Sequence, residues 1–114
     1  MTRIVFALLA LALAGSVQAR GNAANGKELA KAEGKASKGC AACHGEQGTK
    51  PSLPDQPVLA GQHYDYLVRA LTDYKNGRRN NAIMKGMSAA LSKQDIEDLA
   101  AWFASQKSNL HDQR

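Results

Sequence analysis

Large side chains, from which a small protein builds its core, are scarce in this chain. It has one tryptophan, three tyrosines and two phenylalanines in 114 residues, and past residue 19 only Trp102, Phe103 and the tyrosines remain. A domain of this size buries a modest fraction of its surface, so the polypeptide alone makes a thin core. No apolar alternation of period two is long enough for a strand, which excludes a sheet architecture. No apolar run reaches the ~20 residues that span a bilayer. There is no carboxylate dyad, no nucleophile beside a base and no phosphate-binding glycine loop, so the usual hydrolase and nucleotide chemistries find no residues to carry them. The net charge of +5 is mild, and no aromatics interleave with the lysines as in a nucleic-acid module.

The N-terminus reads as an export signal. Arg3 is followed by an apolar run from Ile4 to Ala14 and by Val17-Gln18-Ala19, which resembles a signal-peptidase site. Residues 1–19 are therefore expected to be cleaved. Residues 20–114 then form a single periplasmic domain with no membrane span and, without Arg3, a charge of +4. Lys27, Lys31 and Lys35 follow i, i+4 spacing on one side of an expected helix. Such a stripe is either a solvated face or a docking surface for an acidic partner.

Cysteine is used twice and in one place, Cys40-Ala41-Ala42-Cys43-His44. A zinc site needs four ligands, and only His63 and His111 would be left to complete one. A thioredoxin-like redox pair needs a βαβ context, which the chain lacks. A disulfide between residues three apart closes too small a loop to stabilise much. The remaining reading is the attachment signature of c-type haem, in which the two thiols form thioethers and the histidine ligates the iron. One covalently attached haem would also supply the missing core.

The rest of the chain reads as all-α, with about three main helices and irregular loops wrapped around the haem. Ala, Lys and Glu between Asn22 and Lys38 predict a helix running into Cys40, weakened by Gly26 and Gly34. All three prolines, Pro51, Pro54 and Pro57, fall in the segment after His44 and predict an irregular loop. Tyr64, Leu67, Val68, Leu71 and Tyr74 recur at helical spacing within Gln62 to Asn76, with Asn76-Gly77 as a stop. Arg78 to Leu91 shows no period and predicts a second haem-covering loop. Ser92 and Asp95 form a capping-box pair ahead of Ile96, Leu99, Ala100 and Phe103, predicting a last helix that ends near Lys107.

The second axial position decides between electron transfer and ligand chemistry. Past residue 19 the methionines are Met84 and Met87. One is expected to ligate and the other to pack on the porphyrin edge. Met84 is the first candidate and Met87 the second; His63, His111 and an open site are further options.

These residues resemble the class I c-type cytochromes, and among them the single haem domains of the cytochrome c-four group. The resemblance runs through CAACHG at Cys40 to Gly45, Pro57 to Gln62, Tyr66-Leu67, Gly77-Arg78, and Leu91-Ser92 into the Ala100 to Gln106 helix. It implies the cytochrome c fold, with Met84 as axial ligand and Met87 as its packing neighbour. It also implies that Pro57 offers its carbonyl to His44 Nδ1–H. The first and last helices are implied to cross, with Trp102 and Phe103 on the C-terminal side and Gly34 or Leu29 on the other.

The expectation is a one-electron carrier, not an enzyme. Its partners would be redox proteins such as a quinol–cytochrome c reductase, a terminal oxidase or a dehydrogenase, with homodimerisation through the haem edge as an alternative. Small residues Ala41, Ala42 and Gly45 would let a partner approach that edge. Other readings are a haem subunit of a larger enzyme, or a catalytic or gas-binding haem protein with an open sixth position. Because haem is needed to complete the core, protein with Cys40→Ala and Cys43→Ala made without haem should show weak near-ultraviolet circular dichroism and no cooperative melt. A sharp melt matching the holoprotein would refute this.

Overall fold

The structure is a computed structural model that describes residues 21–32 and 39–108. The expected signal at residues 1–19 lies outside them. The described residues form five helices and no strand: α1 (Ala23–Lys31), α2 (Cys40–His44), α3 (Tyr64–Asn76), α4 (Ala82–Ser88) and α5 (Lys93–Ala104). None is long and apolar enough to cross a membrane.

Asn22 caps α1, its side chain accepting from the N–H groups of Ala24 and Asn25 at 2.9 and 3.2 Å. The helix does not run unbroken into Cys40. Ala32 turns to an extended ψ of 123°, and Gly39 sits at φ +76°, a conformation that favours glycine. A Cβ on Gly39 would meet the Ala30 carbonyl oxygen at 2.8 Å. The chain thus re-enters closely against the end of α1, and α2 begins as a separate turn.

α1 packs along α5, and the contact is built on Gly26. A Cβ there would lie 2.0 Å from the Asp98 carbonyl oxygen and 2.9 Å from Trp102 Cβ. Glycine costs about 1 kcal/mol of helix propensity relative to alanine, and here it lets two backbones meet. The crossing residue is therefore Gly26. Leu29 packs at the edge of the core, and Gly34 lies outside the described residues. Beside the crossing, the buried Asp98 carboxylate accepts from Asn22 N–H at 2.6 Å and from Gln94 Nε2 at 2.8 Å. Two donors thus offset the desolvation of that carboxylate.

α3 starts at Tyr64, with His63 in the cap position, and ends on Gly77 at φ +77°, whose N–H reaches Tyr74 O. This stop is the one the sequence predicts. α4 corrects the expected second loop. Asn81 Oδ1 accepts from Met84 N–H at 3.0 Å, and the fully buried Ser88 donates through Oγ to Met84 O at 2.7 Å. A cap and a buried back-bond suffice for two turns without amphipathic periodicity.

α5 opens with the complete capping box. Asp95 N–H donates to Ser92 Oγ and Ser92 N–H to Asp95 Oδ2, both at 3.0 Å. It ends at Ala104, three residues before the expected Lys107, with Ser105 as C-cap. Its buried Ile96, Leu99, Ala100 and Phe103 join Ala30, Leu67 and Leu91 in the core. Lys75 Nζ donates to Leu91 O and ties the end of α3 to the approach to α5.

Gly26→Ala should lower the holoprotein's stability by about 2 kcal/mol or more, because the added carbon meets a helix backbone that cannot swing aside. Gly86→Ala, in α4 with nothing within 4 Å of the new carbon, should raise it by about 0.5–1 kcal/mol. Denaturant melts of the two variants test the contrast; equal effects would refute it.

Candidate haem site

α2 consists of the five residues of the CAACH motif. Positions i, i+3 and i+4 of a helical turn share one face, so this spacing brings Cys40, Cys43 and His44 together. All three line a cleft of about 430 Å³ that also takes walls from Leu67 and Leu71 of α3, Met84 and Met87 of α4, and Leu99 and Phe103 of α5. That volume lies in the range of cofactor pockets.

His44 is 7% exposed, and its Nδ1 lies 2.9 Å from the Pro57 carbonyl oxygen. A carbonyl only accepts, so Nδ1 carries the ring proton and Nε2 of the neutral imidazole keeps its lone pair. The loop that returns Pro57 to this position is pinned at several points. Ser52 N–H donates to Cys43 O at 2.9 Å and Ser52 Oγ to Ala42 O at 3.0 Å, which closes the end of α2. Leu59 N–H donates to Gly48 O, and Gly61 N–H to Phe103 O, each at 2.9 Å.

The two thiols are not joined to each other. Burial pushes the Cys40 thiol up to about 11, and the neighbouring Cys43 adds to the rise. At neutral pH Cys40 is thus an uncharged, apolar group against the cleft, suited to contact with a porphyrin. Two thiols, an imidazole with a directed lone pair and an apolar cleft with two thioethers fit haem c in their chemistry.

The other candidates fall elsewhere. His63 is exposed at the start of α3, makes no side-chain capping bond and does not line the cleft. His111 lies outside the described residues. Of the lysine stripe, Lys31 pairs with Glu46 at 2.6 Å and Lys27 Nζ lies 5.6 Å from the Trp102 ring centroid. Lys35 is outside the described residues. The Lys31 hydrogen bond lowers the Glu46 carboxyl below its ordinary range and is matched by a rise at Lys31. Both groups are solvent-exposed, and Trp102 Nε1 also donates to Glu46 O at 3.2 Å. The cluster therefore joins α1, the α2 loop and α5.

Sequence reasoning missed the polar wall of the cleft, Tyr66, Tyr74 and Arg79. The available signal was the spacing of eight between the tyrosines, two helical turns apart on one face.

An all-helical domain whose cleft is walled by its own CxxCH turn defines a c-type haem protein. Residues 23–107 match the family model "Cytochrome c", and the chain belongs to that family; its cofactor is covalently bound haem c. It is 43% identical over 104 residues to cytochrome c4 of Pseudomonas aeruginosa, a match covering 91% of this chain and 48% of that protein. It is 41% identical over 71 residues to cytochrome c-554(548) of Halomonas halodenitrificans, covering 60% of this chain and 84% of that one. Among solved structures it is similar to Acidithiobacillus ferrooxidans cytochrome c4, a structure that supports a complex-induced tuning of electron transfer. The TM-score is 0.65 at 30% identity, covering 73% of this chain and 49% of that chain. The chain thus spans about half the length of the cytochrome c4 relatives it matches.

Proposed function

We propose that this chain is a periplasmic one-electron carrier that moves electrons between respiratory redox proteins such as a quinol–cytochrome c reductase, a terminal oxidase or a dehydrogenase. In this reading Cys40 and Cys43 carry the thioethers, His44 Nε2 is one axial ligand and Met84 Sδ the other. Haem iron supplies the exchange of one electron between ferric and ferrous states. The remaining work belongs to the chain.

The Pro57 carbonyl accepts the His44 Nδ1 proton, which orients the ring and raises its basicity. Asn81 and Ser88 hold the backbone N–H and C=O of Met84, so the residue has little freedom to drift. A soft thioether favours the reduced state, and two strong-field ligands that stay in place keep reorganisation small. The apolar residues around the cleft limit water. At its rim Leu53 and Ile83 are 56% and 74% exposed, and the half-buried Ala41 and Gly45 add little bulk, so a partner can come close.

The observation that carries the reading is the His44–Pro57 hydrogen bond in a cleft that also holds both methionines. Similarity to cytochrome c4 proteins supports electron transfer as the activity.

The holoprotein should show the weak ferric absorption band near ~700 nm that reports methionine sulfur on haem iron. Met84→Ala should abolish the band and Met87→Ala should keep it. A wild-type spectrum without the band, together with rapid carbon monoxide binding by the reduced protein, would favour the catalytic or gas-binding reading.

A further inference from the structure

The cleft is apolar except for one wall. Apart from His44 and the two thiols, its ionisable lining residues are Asp55, Tyr66, Tyr74 and Arg79, and Arg79 is the sole permanent cation among them. Arg79 follows the Gly77 stop of α3, and its backbone N–H returns to Asp73 O at 3.1 Å, which fixes the turn. Its guanidinium carbon lies 4.9 Å from the centroid of the Tyr74 ring, and Nη1 donates to the Tyr66 hydroxyl at 3.1 Å. Tyr66 and Tyr74 thus brace one cation from two successive positions on the same face of α3.

Neither contact neutralises the charge. No carboxylate among the described residues forms an ion pair with Arg79. Of the five N–H donors of a guanidinium, one is used here. The Tyr66 hydroxyl accepts from Arg79, so its own proton is left to donate. A planar fork and a phenol side by side at the edge of an apolar cleft match a carboxylate.

Haem c presents that chemistry at one edge: two propionate carboxylates on an otherwise apolar ring. The ring suits the apolar walls, but the carboxylates need donors, since an unpaired buried charge is costly. Asp55 repels them, so their place is at the Arg79 wall. We propose that Arg79, braced by Tyr66 and Tyr74, holds a haem propionate, with the Tyr66 hydroxyl as a second donor to it. This rests on the cleft being the haem site. The other charged or titratable groups near Arg79 are Asp73 on α3, Asp55 across the cleft and Lys85 on α4, whose Nζ lies over Gly77.

The test uses the haem-loaded protein and follows midpoint potential against pH. The pH at which the potential bends reports protonation of the propionate. In Arg79→Gln it should move up, or enter the measurable range, by about one pH unit or more, the scale on which an adjacent arginine lowers a carboxylate. Arg79→Lys should recover most of the shift, and Tyr66→Phe should give a smaller shift of the same sign. The band near ~700 nm, recorded for each variant, reports iron ligation separately; its loss in the wild type would count against the methionine assignment and not against Arg79. An unchanged bend in Arg79→Gln with an intact spectrum overturns the proposal and leaves Arg79 as a contact for an acidic partner. Should that variant not accumulate with haem, an unchanged bend in both Arg79→Lys and Tyr66→Phe overturns it.

Discussion

The space between α2, α3, α4 and α5 is the constraint on which the other features depend. A chain with so few large side chains cannot close that space with its own atoms. It arranges Leu67, Leu99 and Phe103 as walls and leaves the centre to a rigid apolar plate. Covalent attachment suits such an arrangement, because a thin core gives weak retention by packing alone. The His44–Pro57 hydrogen bond belongs to the same solution. It converts a loop rich in proline into a fixed acceptor, and so settles which imidazole nitrogen faces the iron.

Much of this was legible in the sequence, and the reasons differ from element to element. CAACH could be read because its chemistry depends on residue type and spacing alone. α5 could be read because Ser92 and Asp95 form a local capping pair ahead of an apolar stripe, and the stop of α3 at Gly77 because a left-handed residue is needed there. These signals involve residues within a few positions of one another. α4 was missed because its helix rests on the Asn81 cap and the buried Ser88 hydroxyl, with no periodic stripe to betray it. The end of α1 was missed because Ala32 and Gly39 break the helix to let the chain pass the Ala30 carbonyl, a tertiary requirement.

Gly26 shows how a local rule can mislead. As a helix residue it counts against α1; as a crossing residue it is what lets α1 form a close contact at all. Nothing within α1 tells the two roles apart, since the deciding atoms are the backbone of Asp98 and the Cβ of Trp102, some seventy positions later. Arg79 is a parallel case. Its meaning comes from two tyrosines on the preceding helix and from the cleft they share, and a stretch reading Gly77-Arg78-Arg79 announces none of this. The family relation supplied the motifs that touch the iron but left this polar wall to be found in the structure.

The pairing of α1 with α5 also has a consequence in time. A chain emerging from a ribosome or a translocation pore presents its first helix long before its last. α1, whose close packing surface is α5 and whose first N–H is held by Asp98, has no partner until the final twenty or so residues have emerged. During that interval Cys40 to His44 are delivered on an open strand instead of inside a closed domain. The topology thereby keeps the two thiols accessible to the machinery that must reach them, and the fold shuts over the finished attachment only when its last helix arrives.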